Sequence, residues 1–195
     1  MTLAEAPSDR RLRSVQRTAA QTRVLSAALE MFAEHGVSGT SLQMIADEIG
    51  VTKAAVYHQF KTKDEIVLAV ATREMAPLEE ALEIAERQRP RAQARESLLA
   101  FVIDMAVTRR RWVRALQNDP VMIRLLAEHE PFAQLMERVY GLILGSTSPR
   151  ERVRVAMMGA TIGATVVHPL VSDLDDDTLR RELMNASRRL FGIPG

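Results

Sequence analysis

The chain has no cysteine. Disulfides and thiolate chemistry are therefore excluded, and nothing in the cysteine usage points to secretion. Net charge is also nearly absent: 26 Lys and Arg against 25 Asp and Glu leave a formal +1. Whole-molecule electrostatics thus do not announce a polyanionic partner. Long apolar runs are missing too. The nearest approach to a membrane span, Val155 to Val167, is too short to cross a bilayer and reads as a buried helix, so no membrane partner is expected. The residues after Met1 are polar and charged rather than a run of Leu or Val, so no signal-peptide core is expected and the expected compartment is the cytoplasm.

Enzyme signatures are equally scarce. His35, His58, His129 and His168 are scattered, and none stands in an H-E-x-x-H pattern. There is no glycine-rich phosphate loop and no G-x-S-x-G nucleophile pattern. The acidic stretch Asp173 to Asp177 lacks the glycine and closing glutamate of a calcium loop, and acidic residues ahead of a helix are what its dipole favours. No catalytic residue, metal or cofactor is expected. What remains is a chain of 195 residues, long enough for one or two small domains with real cores. Its charge is unevenly spread. Arg10, Arg11, Arg13, Arg17 and Arg23 occur with no acidic residue between Asp9 and Glu30, whereas Asp173, Asp175, Asp176 and Asp177 cluster near the other end. A basic and an acidic end fit a polyanion bound at one pole; for Arg10 to Arg13, a tail kept soluble by charge explains the run equally well.

The most informative stretch is Ser41 to Lys63. Ser41 is a good N-cap, and Leu42, Ile45, Ala46 and Ile49 then recur at i, i+3, i+4 and i+7 as one apolar helical face. Gly50 supplies a stop where positive φ is needed, and Thr52 can cap a second helix. In that helix Val56 and Phe60 share one side, while Lys53, Ala54, Tyr57, His58 and Lys61 fall on the other. The pattern describes a helix-turn-helix. Ala54 and Ala55 are small enough to let the helix approach a major groove, and their methyls could meet a thymine methyl. Lys53 could reach a phosphate or a guanine edge. Tyr57, His58 and Lys63 are of the kind that hydrogen-bond phosphates. Thr62 and Glu65 form a T-x-x-E capping box, so a third helix starts at once. Spacing alone leaves a second reading open, an ordinary helical hairpin with a solvated basic face.

Several motif positions in order decide for the first reading. Phe32-Ala-Glu-His-Gly36, Gly39-Thr-Ser-Leu, Ile45-Ala46, Gly50-Val-Thr-Lys53 and Val56-Tyr-His-Gln-Phe60-Lys-Thr-Lys63 resemble the N-terminal domain of the tetracycline-repressor (TetR) family, from about Thr22 to Val70. Gln59 departs from the His more usual before the Phe, which bears on operator detail. The resemblance implies an all-α, homodimeric transcription regulator, usually a repressor, that binds a palindromic double-stranded DNA operator and is released by a small ligand. Carried over position by position, it implies DNA contacts at Thr40, Ser41, Gln43, Thr52, Lys53, Ala54, Tyr57, His58 and Lys63.

The rest of the chain completes the expectation. Residues 1–14 read as a basic arm, 15–63 as a three-helix DNA-binding domain, and 64–195 as a helical ligand-binding and dimerisation domain. A helix is expected from Val15 to His35, ended by Gly36, with Leu25, Leu29, Phe32, Leu42, Ile45, Ile49, Val56 and Phe60 as the domain core. Pro77, lacking an N–H, is expected to bend or break the helix that begins at Thr62. Asp119-Pro120 and Glu130-Pro131 look like N-cap and N1-proline starts, and Ser148 to Glu151 is another capping box. The resemblance places a ligand site among the middle helices, with Phe101, Met105, Trp112, Met122, Met136 and Tyr140 as candidate lining. Few polar anchors accompany them, so a mostly apolar ligand is expected. Val153, Met157, Ala160, Ala164 and Val167, and then Leu179, Leu183, Ala186 and Leu190, form two apolar seams. They agree with the dimer interface that the family builds from its last two long helices, here 149–168 and 176–191. Gly159 and Gly163 are expected to let another helix come close.

Overall fold

The computed structural model describes residues 16–145 and 148–191, and within them the chain forms ten α-helices and one short 3-10 helix. The expected basic arm at 1–14 lies outside the described residues. The first helix, α1 (Ala19–Gly39), starts later than apolar periodicity suggests, because a reciprocal capping box fixes its origin. Thr18 Oγ1 accepts the Gln21 N–H and Gln21 Oε1 accepts the Thr18 N–H, each at 3.2 Å. At Gly36 the backbone turns to φ +71°, as the sequence suggests, yet one further helical turn, Val37–Gly39, follows the kink. Helices α2 (Leu42–Glu48) and α3 (Lys53–Gln59) come next, then the long α4 (Lys63–Arg87).

Pro77 does not break α4, which is one element across it. Burial outweighs the lost backbone hydrogen bond: Met75, Ala76, Leu78, Leu82 and Ala85 all face inward around that point. Pro90 ends the connection, and α5 (Arg91–Thr108), α6 (Arg110–Asn118), α7 (Pro120–Glu128) and α8 (Glu130–Leu144) wrap the body. Asp119 caps α7 with Pro120 at N1, as expected. At α8 the N-cap residue is His129, one place earlier than expected, and its side chain accepts no capping hydrogen bond. Ser148 Oγ caps α9 (Pro149–Val166), a 3-10 turn (Pro169–Val171) follows, and α10 (Asp176–Phe191) closes the body against α5 and α9. No helix among the described residues is long and apolar enough to cross a membrane.

The core is continuous rather than split between two halves. Val24, Leu25, Phe32, Ile45 and Val56 of the first three helices belong to the same buried cluster as Leu98, Trp112, Met122 and Leu183. The junction is made chiefly by α1, which packs on α6 and α4 with one side and on α2 with another. Trp112 sits at this junction, 2% exposed. The three arginines ahead of it are all ion-paired, although the Arg111 side chain stays 71% exposed. Arg109 pairs with Glu74 of α4 at 2.6 Å, Arg110 with Asp176 of α10 at 2.7 Å, and Arg111 with Glu30 of α1 at 2.9 Å. One charged run thereby ties the start of α6 to three other helices.

Of the features expected of the last helices, the seam on α10 is corrected in part, and the close approach at Gly163 is met by a helix of the same chain. Leu179 and Leu183 are 2% and 7% exposed and fill the body's own core, leaving Ala186 and Leu190 outside. Gly163 is buried against Gln117 and Val113 of α6, where any side chain would collide, so it serves the α6–α9 contact within the chain. Only Gly159 of the pair stands in open space. Since Trp112 fills the joint between α1 and α6, Trp112→Ala should lower stability by about 3–5 kcal/mol, read from chemical denaturation. An unchanged denaturation midpoint would show that this joint contributes little.

Candidate nucleic-acid interface

The pair α2–α3 is built from local signals. Ser41 Oγ accepts the Met44 N–H at 3.2 Å, and Thr52 Oγ1 accepts the Ala55 N–H at 3.2 Å, so each helix start is capped by the residue expected. Between them Gly50 adopts φ +67° with nothing near its missing side chain, so its role there is conformational. Arg23 of α1 donates to the Ile49 carbonyl at 2.9 Å and so satisfies the end of α2. Val56 is fully buried and Phe60 6% exposed. They hold α3 by one side and leave the opposite arc to solvent.

That arc carries the side chains singled out from the sequence. Lys53, Ala54, Tyr57 and His58 are all exposed, with Tyr57 at 52%. Lys61, one turn beyond Tyr57, belongs with them: its Nζ donates to the Tyr57 carbonyl at 3.4 Å and lies 5.3 Å from the Tyr57 ring centre. The i, i+4 spacing was the signal for this pair. His58 and Gln59 are within 3.3 Å of each other through Nδ1 and Nε2, so Gln59 lies on the rim of the same face. Ser41 and Gln43 are exposed at the start of α2, and Gln43 already donates to Asp47 at 2.7 Å. Thr52 is exposed but its hydroxyl is engaged as the cap of α3.

Two expected contacts sit differently. Thr40 is 2% exposed, and its hydroxyl donates to the carbonyls of Gly36 at 2.7 Å and Met31 at 3.1 Å. A buried hydroxyl must find internal partners, so its side chain is spent inside the domain. Lys63 is half-buried, and its ammonium donates to Val37 O at 2.6 Å and Thr40 O at 3.0 Å. Two of its three donors therefore serve the fold. Glu65 also departs from a simple capping box. Thr62 Oγ1 accepts its N–H, but its carboxylate reaches past Thr62 to the Lys61 N–H at 2.7 Å.

The candidate ligand residues are spread through the body. Phe101 lines a cleft of about 320 Å³ between α4 and α5 with Pro77, Ile84, Leu98 and others, whereas Trp112 borders a different cleft beside α1 and α4. Met122 is fully buried in the core, Met105 and Met136 are partly buried, and Tyr140 is 39% exposed on α8. A third cleft, of about 460 Å³, is cationic, lined by Arg91, Arg95 and Arg138 with Glu86. Among the described residues no group of three His, Asp or Glu is placed to hold a metal ion.

Comparison with known proteins points the same way as the geometry. Residues 24–70 match the family model described as "Bacterial regulatory proteins, tetR family". The transcriptional regulator SrpR of Pseudomonas putida is 46% identical over 57 residues, which are 29% of this chain and 27% of that protein. The transcriptional repressor Rv1474c of Mycobacterium tuberculosis is 30% identical over 111 residues, 56% of this chain and 58% of that protein. The chain thus spans about a quarter to somewhat over half the length of these curated relatives. The similarity of fold reaches further. A TetR-like regulator from Rhodococcus sp. RHA1 superposes with a TM-score of 0.68 at 20% identity, covering 91% of this chain and 99% of that one. A TetR-family regulator from Bordetella parapertussis gives 0.69 at 16% identity, covering 88% and 95%.

The caps give a local test of how the face is positioned. Thr52→Ala should cost about 0.5–2 kcal/mol, concentrated in α3 and visible as faster amide exchange there than in α4. Equal acceleration throughout the chain would show that the cap is not what orders α3.

Proposed function

We propose that this chain, a member of the tetR family of helix-turn-helix transcription regulators, binds a pseudo-palindromic DNA operator as a homodimer and acts as a repressor that a mostly apolar small molecule releases. The observation that carries the reading is the free arc of α3, where Lys53, Ala54, Tyr57 and His58 stand out from a helix anchored by Val56 and Phe60, with Lys61 just beyond its end. Ala54 leaves room against the base edges, Lys53 supplies a donor toward phosphate or guanine, and Tyr57 and His58 donate to phosphates and fix register. Ser41, Gln43 and Thr52 flank that arc from the helix starts. The division of labour follows from it, with residues 15–63 reading DNA and 64–195 sensing ligand and pairing.

Pairing is supported by what the single chain leaves uncovered. Val153 and Met157 of α9 are 60% and 57% exposed, Ala160 and Ala164 continue the same stripe, and Leu190 of α10 is 66% exposed. Apolar residues gathered on one face in this way mark a surface that another chain covers. The matching stripes of two copies, related by a two-fold axis, would form a four-helix contact and present two α3 helices to successive half-sites. For the inducer, the α4–α5 cleft beside Phe101 is the apolar candidate, and α4 connects it to the DNA-reading helices. Of the other candidates, Trp112 borders a different cleft and Met122 is fully buried in the core.

DNA binding should weaken steeply as salt rises, because phosphate contacts release counterions. Tyr57→Ala should weaken specific and non-specific duplexes alike in gel-shift titrations. If the folded variant bound as tightly as the parent, α3 would not be the docking face.

Met157→Glu places a charge in the proposed seam and should give a monomer near 21.8 kDa by sedimentation, against about twice that for the parent. A parent that sediments as a monomer at micromolar concentration would remove the dimer and the operator symmetry with it.

A further inference from the structure

The turn that leads into α2 is held by a carboxylate to which neither the proposed DNA face nor the ligand cleft assigns a role. Asp119 lies at the corner between α6 and α7 and is 4% exposed. Its Oδ1 accepts the N–H groups of Val121 at 2.8 Å and Met122 at 3.1 Å, the capping duty legible in Asp119-Pro120. Capping needs only that oxygen. The other, Oδ2, accepts the N–H groups of Val37 at 2.5 Å and Ser38 at 3.2 Å, from residues 82 and 81 positions earlier in the chain. Gly36 makes this approach possible, since a Cβ there would stand 2.7 Å from Oδ2 on a backbone already at φ +71°.

The same short segment is gripped from other directions. Lys63 of α4 holds the carbonyls of Val37 and Thr40, and the Thr40 hydroxyl holds those of Met31 and Gly36. Ser41, the next residue, is the N-cap of α2. Whatever moves Val37 and Ser38 therefore moves the start of α2. Burial alone would raise the pKa of Asp119, but the four backbone N–H groups outweigh it and hold the carboxyl below its ordinary value, so the group is an anion with four donors.

We infer that Asp119 is a positioning residue for the helix-turn-helix: one buried carboxylate locks the entry to α2 onto the α6–α7 corner, so that the two shift together. The lock is a property of the fold, and its consequence for DNA rests on the reading of α2–α3 given above. Asp119→Ser separates its two duties. Serine remains a competent N-cap for α7, while a hydroxyl on a shorter side chain cannot also reach Val37 and Ser38. Asp119→Asn is the second variant, of nearly equal size. It offers one acceptor oxygen and turns an NH₂ against two N–H donors.

Amide exchange on the full chain without DNA tests the lock. In the parent, Val37, Ser38, Val121 and Met122 should exchange through one shared opening. In Asp119→Ser, the Val37 and Ser38 amides should exchange about tenfold faster or more, while Val121 and Met122 stay near parental rates. Leu183→Ala, a buried change far from the corner, serves as the control and should speed all four alike. The second measurement is affinity for a duplex selected from a random pool, under conditions where each variant is fully folded. The lock predicts weaker binding by Asp119→Ser than by the control. The inference is overturned if Val37 and Ser38 exchange no faster than in the control at matched stability, or if they loosen while DNA affinity stays parental. Should Asp119→Ser fail to fold, the same two outcomes are read from Asp119→Asn. A parent that binds no duplex would sink the DNA reading and the positioning role with it, while the exchange data would still report the lock itself.

Discussion

Buried backbone cannot leave its amides and carbonyls unpaired, and at Val37–Thr40 this constraint shapes the molecule. The segment follows a kink and precedes a new helix, so regular helical bonding does not satisfy all of it. Side chains from far along the chain do so instead: Asp119 accepts from two N–H groups, and Lys63 donates to two carbonyls. Both are charged, which makes each bond stronger than a neutral one and makes loss of either partner costly. The first three helices are thus joined to the body by a fixed joint rather than by a linker. The unbroken core from Val24 to Leu183 says the same in apolar terms.

Much of this was legible in the sequence because the responsible signals are local. Ser41, Thr52, Thr62, Asp119 and Ser148 each cap the helix expected, since a cap needs only residues two or three places on. Gly36 and Gly50 take positive φ where the pattern needs a turn. The inward Val56 and Phe60 and the outward Lys53, Tyr57 and His58 follow from helical geometry alone. The failures share one cause: they depend on what a side chain meets across space. Sequence gives Asp119 one duty and cannot show the second oxygen's partners. It offers the small residues Gly159 and Gly163 as equivalents, whereas one faces open space and the other the side chain of Gln117. Nor does it show that Arg109, Arg110 and Arg111 pair with Glu74, Asp176 and Glu30 of three other helices. The start of α1 escapes apolar spacing for a different reason, because the Thr18–Gln21 box that sets it is a polar signal.

The net charge of +1 hides this organisation. In the body, several arginines and carboxylates are paired with one another, as in Arg138 with Glu79 and Glu86 or Arg180 with Asp104 and Asp177. Such pairs cancel in the far field and decide packing rather than attraction of a polyanion. At α3 and just past its end, the cations Lys53 and Lys61 are exposed beside Tyr57 and His58. A polyanion responds to that local potential within a Debye length of about 10 Å, not to the sum over the chain. Composition is therefore a poor guide here, and the position of the unspent charges is a good one.

Magnitudes bound how a ligand in the body could act on the distant helix pair. Moving a population from almost wholly one state to almost wholly the other requires about 5.5 kcal/mol of differential binding, and that energy has to reach α2–α3 through physical contacts. Hydrogen bonds to a charged group contribute about 1.5–3 kcal/mol each, so the two that Asp119 makes to Val37 and Ser38 total about 3–6 kcal/mol and reach that figure only at the top of their range. They would be undercut wherever the joint yields in other ways. The packing of Trp112 against α1 and the Arg111–Glu30 pair lie at the other end of α6. With both ends attached, α6 behaves as a strut: rotating it strains two separated points on α1 instead of hinging about one. A single attachment would let α1 swivel and lose the signal. Two attachments, Trp112 with the Arg111–Glu30 pair at one end and Asp119 at the other, would carry a displacement of α6 to two points of α1 and so to the helix pair that follows it.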